Sequence, residues 1–231
     1  PPEVLRVVDL ADPVPAAGEV CVRIEAASLN PLDWKVRQGA LRVVPISASP
    51  PRTTGCDFAG TVVAVGAGNV PWRIGERVFG SLSPFGRAGS CAEFCVVGAQ
   101  RIAAIPDGLG FEAAACLPIA AGEAVQALAD DTKLRAGQRA LIVGAAGGVG
   151  HFALQYAHHL GAHIGAVCGA DNLDFVRSLG ADEAIDYRAT DLRTLAQRFD
   201  IVFDVAGALD WRAAQRLLER GGVYLATGGS T

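Results

Sequence analysis

Residues 139–152 read RALIVGAAGGVGHF, and the run Gly144-Ala145-Ala146-Gly147-Gly148-Val149-Gly150 inside them decides the fold. The apolar residues before the run predict a buried strand, and the spacing of residues 152–160 after it predicts a helix. Small residues between a strand and a helix let the backbone approach a pyrophosphate, which the free N–H groups of the helix start then bind. Ala145 stands where the strict fingerprint has glycine. We predict a dinucleotide site here, and the alternative is a tight turn without a ligand.

Strands and helices alternate downstream of this run. Short apolar runs predict strands at 140–143, 163–168, 183–185, 201–203 and 223–225, and helical spacing predicts helices at 152–160, 173–179, 192–198 and 211–219. Because a helix separates each strand from the next, we expect β-α-β units on a five-stranded parallel sheet.

The pattern before residue 111 is different. Alternating segments at 20–26, 61–66, 77–80 and 92–97 predict short strands, and turns rich in glycine and proline separate them. We therefore assign the chain to the α/β class and expect two domains, a β-rich domain at 1–110 and a dinucleotide-binding domain at 111–231.

Composition and charge exclude several classes of function. The net charge is −4 over 231 residues, and lysine occurs only at Lys35 and Lys133, so the basic footprint of a nucleic-acid-binding protein is missing. No apolar stretch is long enough to predict a membrane span. The six cysteines show no pairing framework, and the first residues do not read as a signal peptide, which favours a reducing, cytoplasmic setting.

The end of the second strand of the parallel sheet bears on the choice between NADPH and NADH. An NAD site usually carries an acid there, about 20 residues after the glycine run, to bind the ribose 2′-OH. Asp171 lies at this distance, but the strand ends at Cys168-Gly169, and Asp171 can equally be the N-cap of the next helix. Without a carboxylate at the strand end a 2′-phosphate is not repelled. We predict NADPH, with NADH as the alternative.

Several stretches, in order along the chain, resemble the zinc-independent quinone oxidoreductases (zeta-crystallin-like proteins) of the medium-chain dehydrogenase/reductase superfamily, and especially their chloroplast-envelope quinone oxidoreductase and alkenal reductase subgroup. They are ASLNPLDWK at 27–35, GCDFAG at 55–60, the glycine run, CGADN at 168–172, SLGADE at 178–183 and IDY at 185–187. The resemblance implies a GroES-like β-rich catalytic domain followed by a Rossmann doubly wound parallel sheet. It also implies that the chain is truncated at both ends, because these relatives carry a first strand before it and a last Rossmann strand after it.

The resemblance further implies a reductase that transfers a hydride from NADPH to an apolar quinone or α,β-unsaturated carbonyl. Asn30 is expected at the nicotinamide end as a hydrogen-bond donor to the developing oxyanion, unless it only caps the turn before Pro31. Lys35 is expected to stabilise the same anion or to contact phosphate, unless it is a solvated surface residue. The residues expected to bind the cofactor are Ala146, Gly147, Gly148, Val149, Gly169, Asp171, Asn172, Tyr187, Thr227 and Gly228. Relatives often form homodimers, and a homodimer is expected here too.

The same resemblance predicts that no zinc is bound. Zinc-dependent members of the superfamily place a cysteine, a histidine and a third ligand where this chain has Asn30, Cys56 and a position near Ile119. One soft ligand of three cannot hold a catalytic zinc ion.

Two departures from the relatives leave alternatives open. They often have arginine at the position of Asp171, where an aspartate would repel a 2′-phosphate, and they usually have threonine at the position of Glu123. The alternative functions are an enoyl-thioester reductase, and a non-catalytic dinucleotide-binding protein with a sensor or crystallin-like role.

Overall fold

The computed structural model describes residues 2–39, 53–86 and 88–227. The chain divides into two compact units, unit 1 at Pro1–Ile119 and unit 2 at Ala120–Thr231. The domain boundary expected at residue 110 stays a prediction. No helix in the described ranges is long and apolar enough to cross a membrane.

Unit 1 is built on an antiparallel sheet of five strands in the order β4-β1-β2-β3-β5. The strands are β1 (Glu19–Ala27), β2 (Asp57–Val65), β3 (Arg77–Ser81), β4 (Phe94–Gly98) and β5 (Ile102–Ala104), with helices α1 (Pro31–Gln38) and α2 (Phe111–Ala115). Alternate residues of β1 and β2, among them Val20, Val22, Phe58 and Val62, are fully buried in one cluster. This burial explains the period-two pattern of the sequence.

Unit 2 is a parallel sheet of five strands in the order β10-β9-β6-β7-β8. The strands are β6 (Arg139–Val143), β7 (His163–Cys168), β8 (Glu183–Asp186), β9 (Phe199–Asp204) and β10 (Leu218–Ala226), and the helices are α3 (Ala120–Val125), α4 (Gly148–His159), α5 (Leu173–Ser178) and α6 (Trp211–Leu217). A π-helical turn at Gln126–Asp131 continues α3. This strand order is that of a doubly wound Rossmann sheet, and the predicted five-stranded parallel sheet is confirmed.

The strand β6 is buried on both faces of this sheet. Ala140 and Ile142 belong to the core cluster that contains α4, whereas Leu141 and Val143 belong to the cluster that contains α6. A strand covered on both faces is apolar at every position, which is why residues 140–143 read as a continuous apolar run.

Two predicted helices differ from the structure. The helix predicted at 192–198 is wrong: the chain forms a single 3-10 turn at Leu192–Thr194. The Asp191 side chain caps the start of this turn by accepting the Arg193 N–H, and the turn ends because the backbone of Leu195 is extended. The helix predicted at 211–219 stops at Leu217. Leu218 instead pairs with Phe199 as the first residue of β10, so strand pairing overrides the helical spacing there.

Candidate functional site

The glycine run forms the turn between β6 and α4, and two of its glycines are required by close contacts. Gly144 has a φ of +84°, which a residue with a side chain rarely adopts. A Cβ at Gly150 would run into the carbonyl oxygen of Gly144, so this residue allows α4 to pack directly onto the turn. A Cβ at Gly148 would meet no atom within 4 Å, and the space in front of the helix start is therefore open.

The hydrogen bonds of the turn separate structural N–H groups from free ones. The N–H groups of Gly144 and Ala145 both donate to the carbonyl of Val167, at 3.0 and 2.9 Å, and fasten the turn to β7. In the described part of unit 2, the N–H groups of Gly148, Val149 and Gly150 have no protein acceptor. They point out of the N-terminus of a 12-residue helix, where its dipole also favours an anion.

The turn lies at the point where the strand order of the sheet reverses. The neighbours of β6 are β7 on one side and β9 on the other, and ligands of doubly wound sheets bind at the carboxyl ends of such strands. The predicted residue Thr227 follows β10 at this edge, and its hydroxyl donates to the carbonyl of Val205 at 3.1 Å. Gly228, also predicted, lies outside the described residues.

The residues predicted for the adenosine end of the cofactor gather at the carboxyl ends of β7 and β8. Gly169 follows β7 directly, and a Cβ added to it would lie 3.7 Å from the ring of Tyr187. Asn172 donates its N–H to the carbonyl of Gly169 at 2.9 Å, in a 3-10 turn that also holds the exposed Asp171. Asn172, not Asp171, is the N-cap of α5, so the alternative cap role of Asp171 is wrong.

A cation that the sequence analysis did not single out joins this group. The guanidinium of Arg188 lies 5.5 Å from the ring centre of Tyr187. Hydrogen bonding by Tyr187 raises the pKa of Arg188, and the carboxylates of Asp171 and Asp186 add to the effect. Arg188 directly follows the quoted IDY motif, and its position was the signal that could have revealed it.

In unit 1 the side chain of Asn30 is held by several hydrogen bonds. Asn30 is the N-cap of α1 and forms a capping box with Asp33, whose carboxylate accepts the Asn30 N–H at 2.7 Å. Its amide nitrogen Nδ2 donates to Asp57 Oδ2 at 3.0 Å and lies 3.4 Å from Ser28 Oγ. The residue therefore does cap the turn before Pro31, and its side chain remains partly exposed.

The partner of Asn30, Asp57, is fully buried at the start of β2. Besides the Asn30 amide, its Oδ2 accepts the backbone N–H of Ile119 at 3.1 Å and the hydroxyl of Ser28 at 3.5 Å. Burial raises the pKa of Asp57, and the hydrogen bond from Ile119 opposes this shift. Sequence analysis missed this residue, although an acid inside the otherwise apolar stretch GCDFAG was a visible signal.

Lys35 and Glu123 are two further residues that the sequence analysis singled out. Lys35 is exposed on α1, with its ammonium 5.8 Å from the Trp34 ring centre. Glu123 is half-buried on α3, the helix that packs against α4. Burial raises the pKa of the Glu123 carboxyl, which has no hydrogen bond or ion pair in the described part of unit 2.

Comparison with known proteins identifies the family. Residues 16–115 match the family described as alcohol dehydrogenase GroES-like domain, and residues 148–231 match the family described as zinc-binding dehydrogenase. The chain is 37% identical over 227 residues to a chloroplast envelope quinone oxidoreductase homolog of Arabidopsis thaliana, which covers 94% of this chain and 68% of that protein. The chain belongs to the medium-chain dehydrogenase/reductase superfamily.

Two further relatives place this oxidoreductase near one branch of the superfamily. It is 36% identical to an NADPH-dependent alkenal/one oxidoreductase of the Arabidopsis thaliana chloroplast, over 92% of this chain and 56% of that protein. The solved quinone oxidoreductase of Coxiella burnetii superposes with a TM-score of 0.88 at 31% identity, over 98% of this chain and 72% of that chain. The expected GroES-like and Rossmann domains are thereby confirmed, and the chain is shorter than these relatives.

The three positions at which zinc-dependent members of the superfamily place ligands have other tasks in this chain. Asn30 and the backbone of Ile119 both bind Asp57, and the Ile119 side chain offers no donor atom. Cys56 is buried, and burial together with the neighbouring Asp33 raises the pKa of its thiol, which favours the neutral form over the metal-binding thiolate.

Proposed function

We propose that this chain is an NAD(P)H-dependent reductase that transfers a hydride to a quinone or an α,β-unsaturated carbonyl. The observation that carries the proposal is the turn at residues 144–150. It presents three free N–H groups beside open space at the switch point of a Rossmann sheet. The names of the two plant relatives and of the Coxiella burnetii enzyme supply the substrate class.

In this proposal the residues of unit 2 hold the cofactor. Ala146, Gly147, Gly148 and Val149 surround the pyrophosphate, with the dipole of α4 behind them. Gly169, Asp171, Asn172 and Tyr187 line the adenosine end, and Thr227 and Gly228 the path of the nicotinamide.

The residues of unit 1 act on the substrate. A bound nicotinamide would supply the hydride for the substrate carbon, and the negative charge would then develop on the carbonyl oxygen of the substrate until solvent provides a proton. Asn30 stabilises that charge by donating a hydrogen bond, and Lys35 adds a positive charge nearby.

We propose NADPH as the preferred cofactor, with NADH as the alternative. Arg188 supports this choice, because a guanidinium beside Tyr187 and Gly169 offers a charged donor to a 2′-phosphate. Asp171 opposes it, since its carboxylate is close enough to act on the same guanidinium.

Zinc-free chemistry is a further part of the proposal. It is supported by the side chains at the three ligand positions, of which one is an amide held by Asp57, one a buried thiol and one an isoleucine. Metal analysis of the purified protein tests it: a stoichiometric zinc ion whose removal abolishes turnover would contradict it.

We also propose a cytoplasmic setting and a homodimer. All six cysteines are free thiols, which suits a reducing compartment. The two plant relatives carry chloroplast locations in their names. Localisation of a tagged chain and sedimentation of the purified protein test these two points.

Titration of the purified chain with NADPH and NADH, followed by nicotinamide fluorescence, is the first experiment. Tight binding of NADPH, followed by its oxidation in the presence of menadione or 1-octen-3-one, is the expected result. Binding without oxidation by any quinone or enone would favour the sensor alternative. Oxidation with crotonyl thioesters alone would favour the enoyl-thioester alternative.

A further inference from the structure

We infer that Asp57 is a positioning residue, which fixes the orientation of the Asn30 amide so that Asn30 can only donate to the substrate oxygen. This inference deepens the proposed function and rests on it. It concerns a residue that does not itself touch the substrate and that lies 27 positions from Asn30 in the sequence.

The orientation of the amide follows from a backbone group. Asp57 Oδ2 accepts the N–H of Ile119 at 3.1 Å, and a backbone N–H can only donate. Oδ2 is therefore an acceptor, and the Asn30 atom that lies 3.0 Å from it must be the NH₂ group rather than the oxygen. Protonation of the carboxyl group at Oδ1 would leave both of these hydrogen bonds to Oδ2 in place.

The capping box lies at the other end of the same amide. Asn30 is the N-cap of α1, and its side chain faces the backbone N–H of Asp33. This N–H already donates to the backbone carbonyl of Asn30 at 3.0 Å, so the capping box is compatible with the orientation that Asp57 sets but does not decide it. A flipped amide would place the Asn30 side-chain oxygen against Asp57 Oδ2, so that two acceptors would face each other.

One N–H of the amide remains available to a ligand. The first is used by Asp57, and the second has only Ser28 Oγ at 3.4 Å, near the outer limit of a hydrogen bond. Because Asn30 is partly exposed, this second N–H can meet the carbonyl oxygen of a quinone or enone and strengthen its contact as negative charge develops.

In this proposal the protonation state of Asp57 controls kcat. An ionised Asp57 would repel an oxyanion that shares the Asn30 NH₂ group with it, whereas a protonated Asp57 would not. Burial and the nearby Asp33 carboxylate both raise the pKa of Asp57. Among the described charged groups of β1, β2, β3 and α1, Asp33 is the one whose charge raises the pKa of Asp57. The thiol of the neighbouring Cys56 stays neutral because its own pKa is raised by burial. We therefore expect kcat to be highest below the Asp57 pKa and to fall above it.

Three variants of the full chain test this role, with NADPH and menadione as substrates. Asn30→Ala and Asp57→Leu should each lower kcat about 100-fold, with little change in the Kd of NADPH. Asp57→Asn keeps an acceptor for both Ile119 and Asn30, so it should restore kcat and lose the fall at high pH. If Asp57→Leu does not fold, the pH profile of Asp57→Asn decides. An unchanged profile in Asp57→Asn, or an unchanged kcat in Asn30→Ala, overturns the inference.

A second measurement needs no turnover and separates this inference from the proposed function. In ¹⁵N-labelled protein, the side-chain NH₂ signals that disappear in Asn30→Ala should shift with pH in the wild type and stay constant in Asp57→Asn. If the wild type reduces no quinone or enone, the proposed function fails, while these signals still show whether Asp57 holds the amide. Signals that do not respond to pH overturn the positioning role.

Discussion

A single arginine opposes a single aspartate at the adenosine end of the candidate site. Arg188 lies over the Tyr187 ring, and the carboxylate of Asp171 acts on its charge. A 2′-phosphate bound here would gain from the guanidinium, which offers a charged donor, and lose from the carboxylate, which repels it. Discrimination between the two dinucleotides therefore depends on which of the two side chains faces the phosphate.

We predict that Arg188→Ala weakens NADPH binding about tenfold and leaves the Kd of NADH unchanged, since only NADPH carries the 2′-phosphate. Asp171→Ala should strengthen NADPH binding. Fluorescence titration with both cofactors checks this, with Arg193→Ala, an exposed arginine on the loop after β8, as the matched control. If Arg188→Ala weakens the binding of NADPH and NADH equally, Arg188 supports the fold of this edge and does not bind the 2′-phosphate.

Glu123 presents a second question at the scale of the residue, because it is a half-buried carboxyl group on α3, the helix that packs against α4. Burial raises its pKa, so the neutral form persists to higher pH than usual, and the charge appears as the pH rises through that value. We predict that the affinity for NADPH falls with rising pH in the wild type and that Glu123→Thr, which has the residue usual in relatives, removes this part of the fall.

The measurement for Glu123 is the Kd of NADPH at several pH values between 5 and 8. Glu219→Gln is the control, because this exposed carboxylate on β10 lies outside the candidate site. A pH dependence that is the same in Glu123→Thr as in the wild type would place Glu123 too far from the cofactor to matter.

Among the elements, the turn from β6 into α4 combines a folding role and a binding role in different glycines. We predict that Gly150→Ala destabilises the protein by about 3 kcal/mol, because its Cβ would collide with the carbonyl oxygen of Gly144 and the close-packed turn cannot move away. Gly122→Ala is the matched control: it is an exposed glycine inside α3 with no atom near its Cβ, and it should stabilise by about 0.5–1 kcal/mol. Urea unfolding of both variants measures the difference.

Gly148→Ala separates the second role from the first. Its methyl group meets no protein atom within 4 Å, so stability should stay close to that of the wild type, while the methyl group takes up open space at the start of α4. We predict that this variant unfolds at the wild-type urea concentration and binds NADPH at least about tenfold more weakly. Full affinity in Gly148→Ala would contradict the placement of the pyrophosphate at the start of α4.

The same turn shows how far sequence reasoning extends. It was predictable because a buried strand, a glycine run and a helix follow one another without interruption. Both faces of β6 are buried, so residues 140–143 are all apolar in the sequence. The segment 192–198 was not predictable, because the backbone becomes extended at Leu195 after one 3-10 turn, although the spacing favours a helix. Of the pair Asn30 and Asp57, only Asn30 could be predicted from the sequence. Its contact with Asp57 depends on the register of the sheet, which is a tertiary property.

At the scale of the whole molecule, the buried carboxyl of Asp57 links folding to pH. Its pKa is raised in the folded chain, so the folded state holds its proton more tightly than the unfolded state does. The stability that this group contributes is therefore complete below the unfolded carboxyl pKa and is lost as the pH rises through the higher folded value. Glu123 shifts in the same direction in unit 2.

We therefore predict that the unfolding free energy of the wild type decreases as the pH rises above 3.8, the ordinary pKa of an aspartate, and that Asp57→Asn, which cannot ionise, flattens this decrease. The amide retains the acceptor for Ile119 and Asn30, so the two proteins should be closest in stability at low pH and should separate at high pH. Urea unfolding at each pH measures it, followed by tryptophan fluorescence. Trp34 and Trp72 report on unit 1 and Trp211 on unit 2, so variants that keep one of these tryptophans show in which unit the effect arises. A pH dependence that is identical in wild type and Asp57→Asn would mean that Asp57 keeps an ordinary pKa despite its burial, and the fall of kcat at high pH would then need another titrating group.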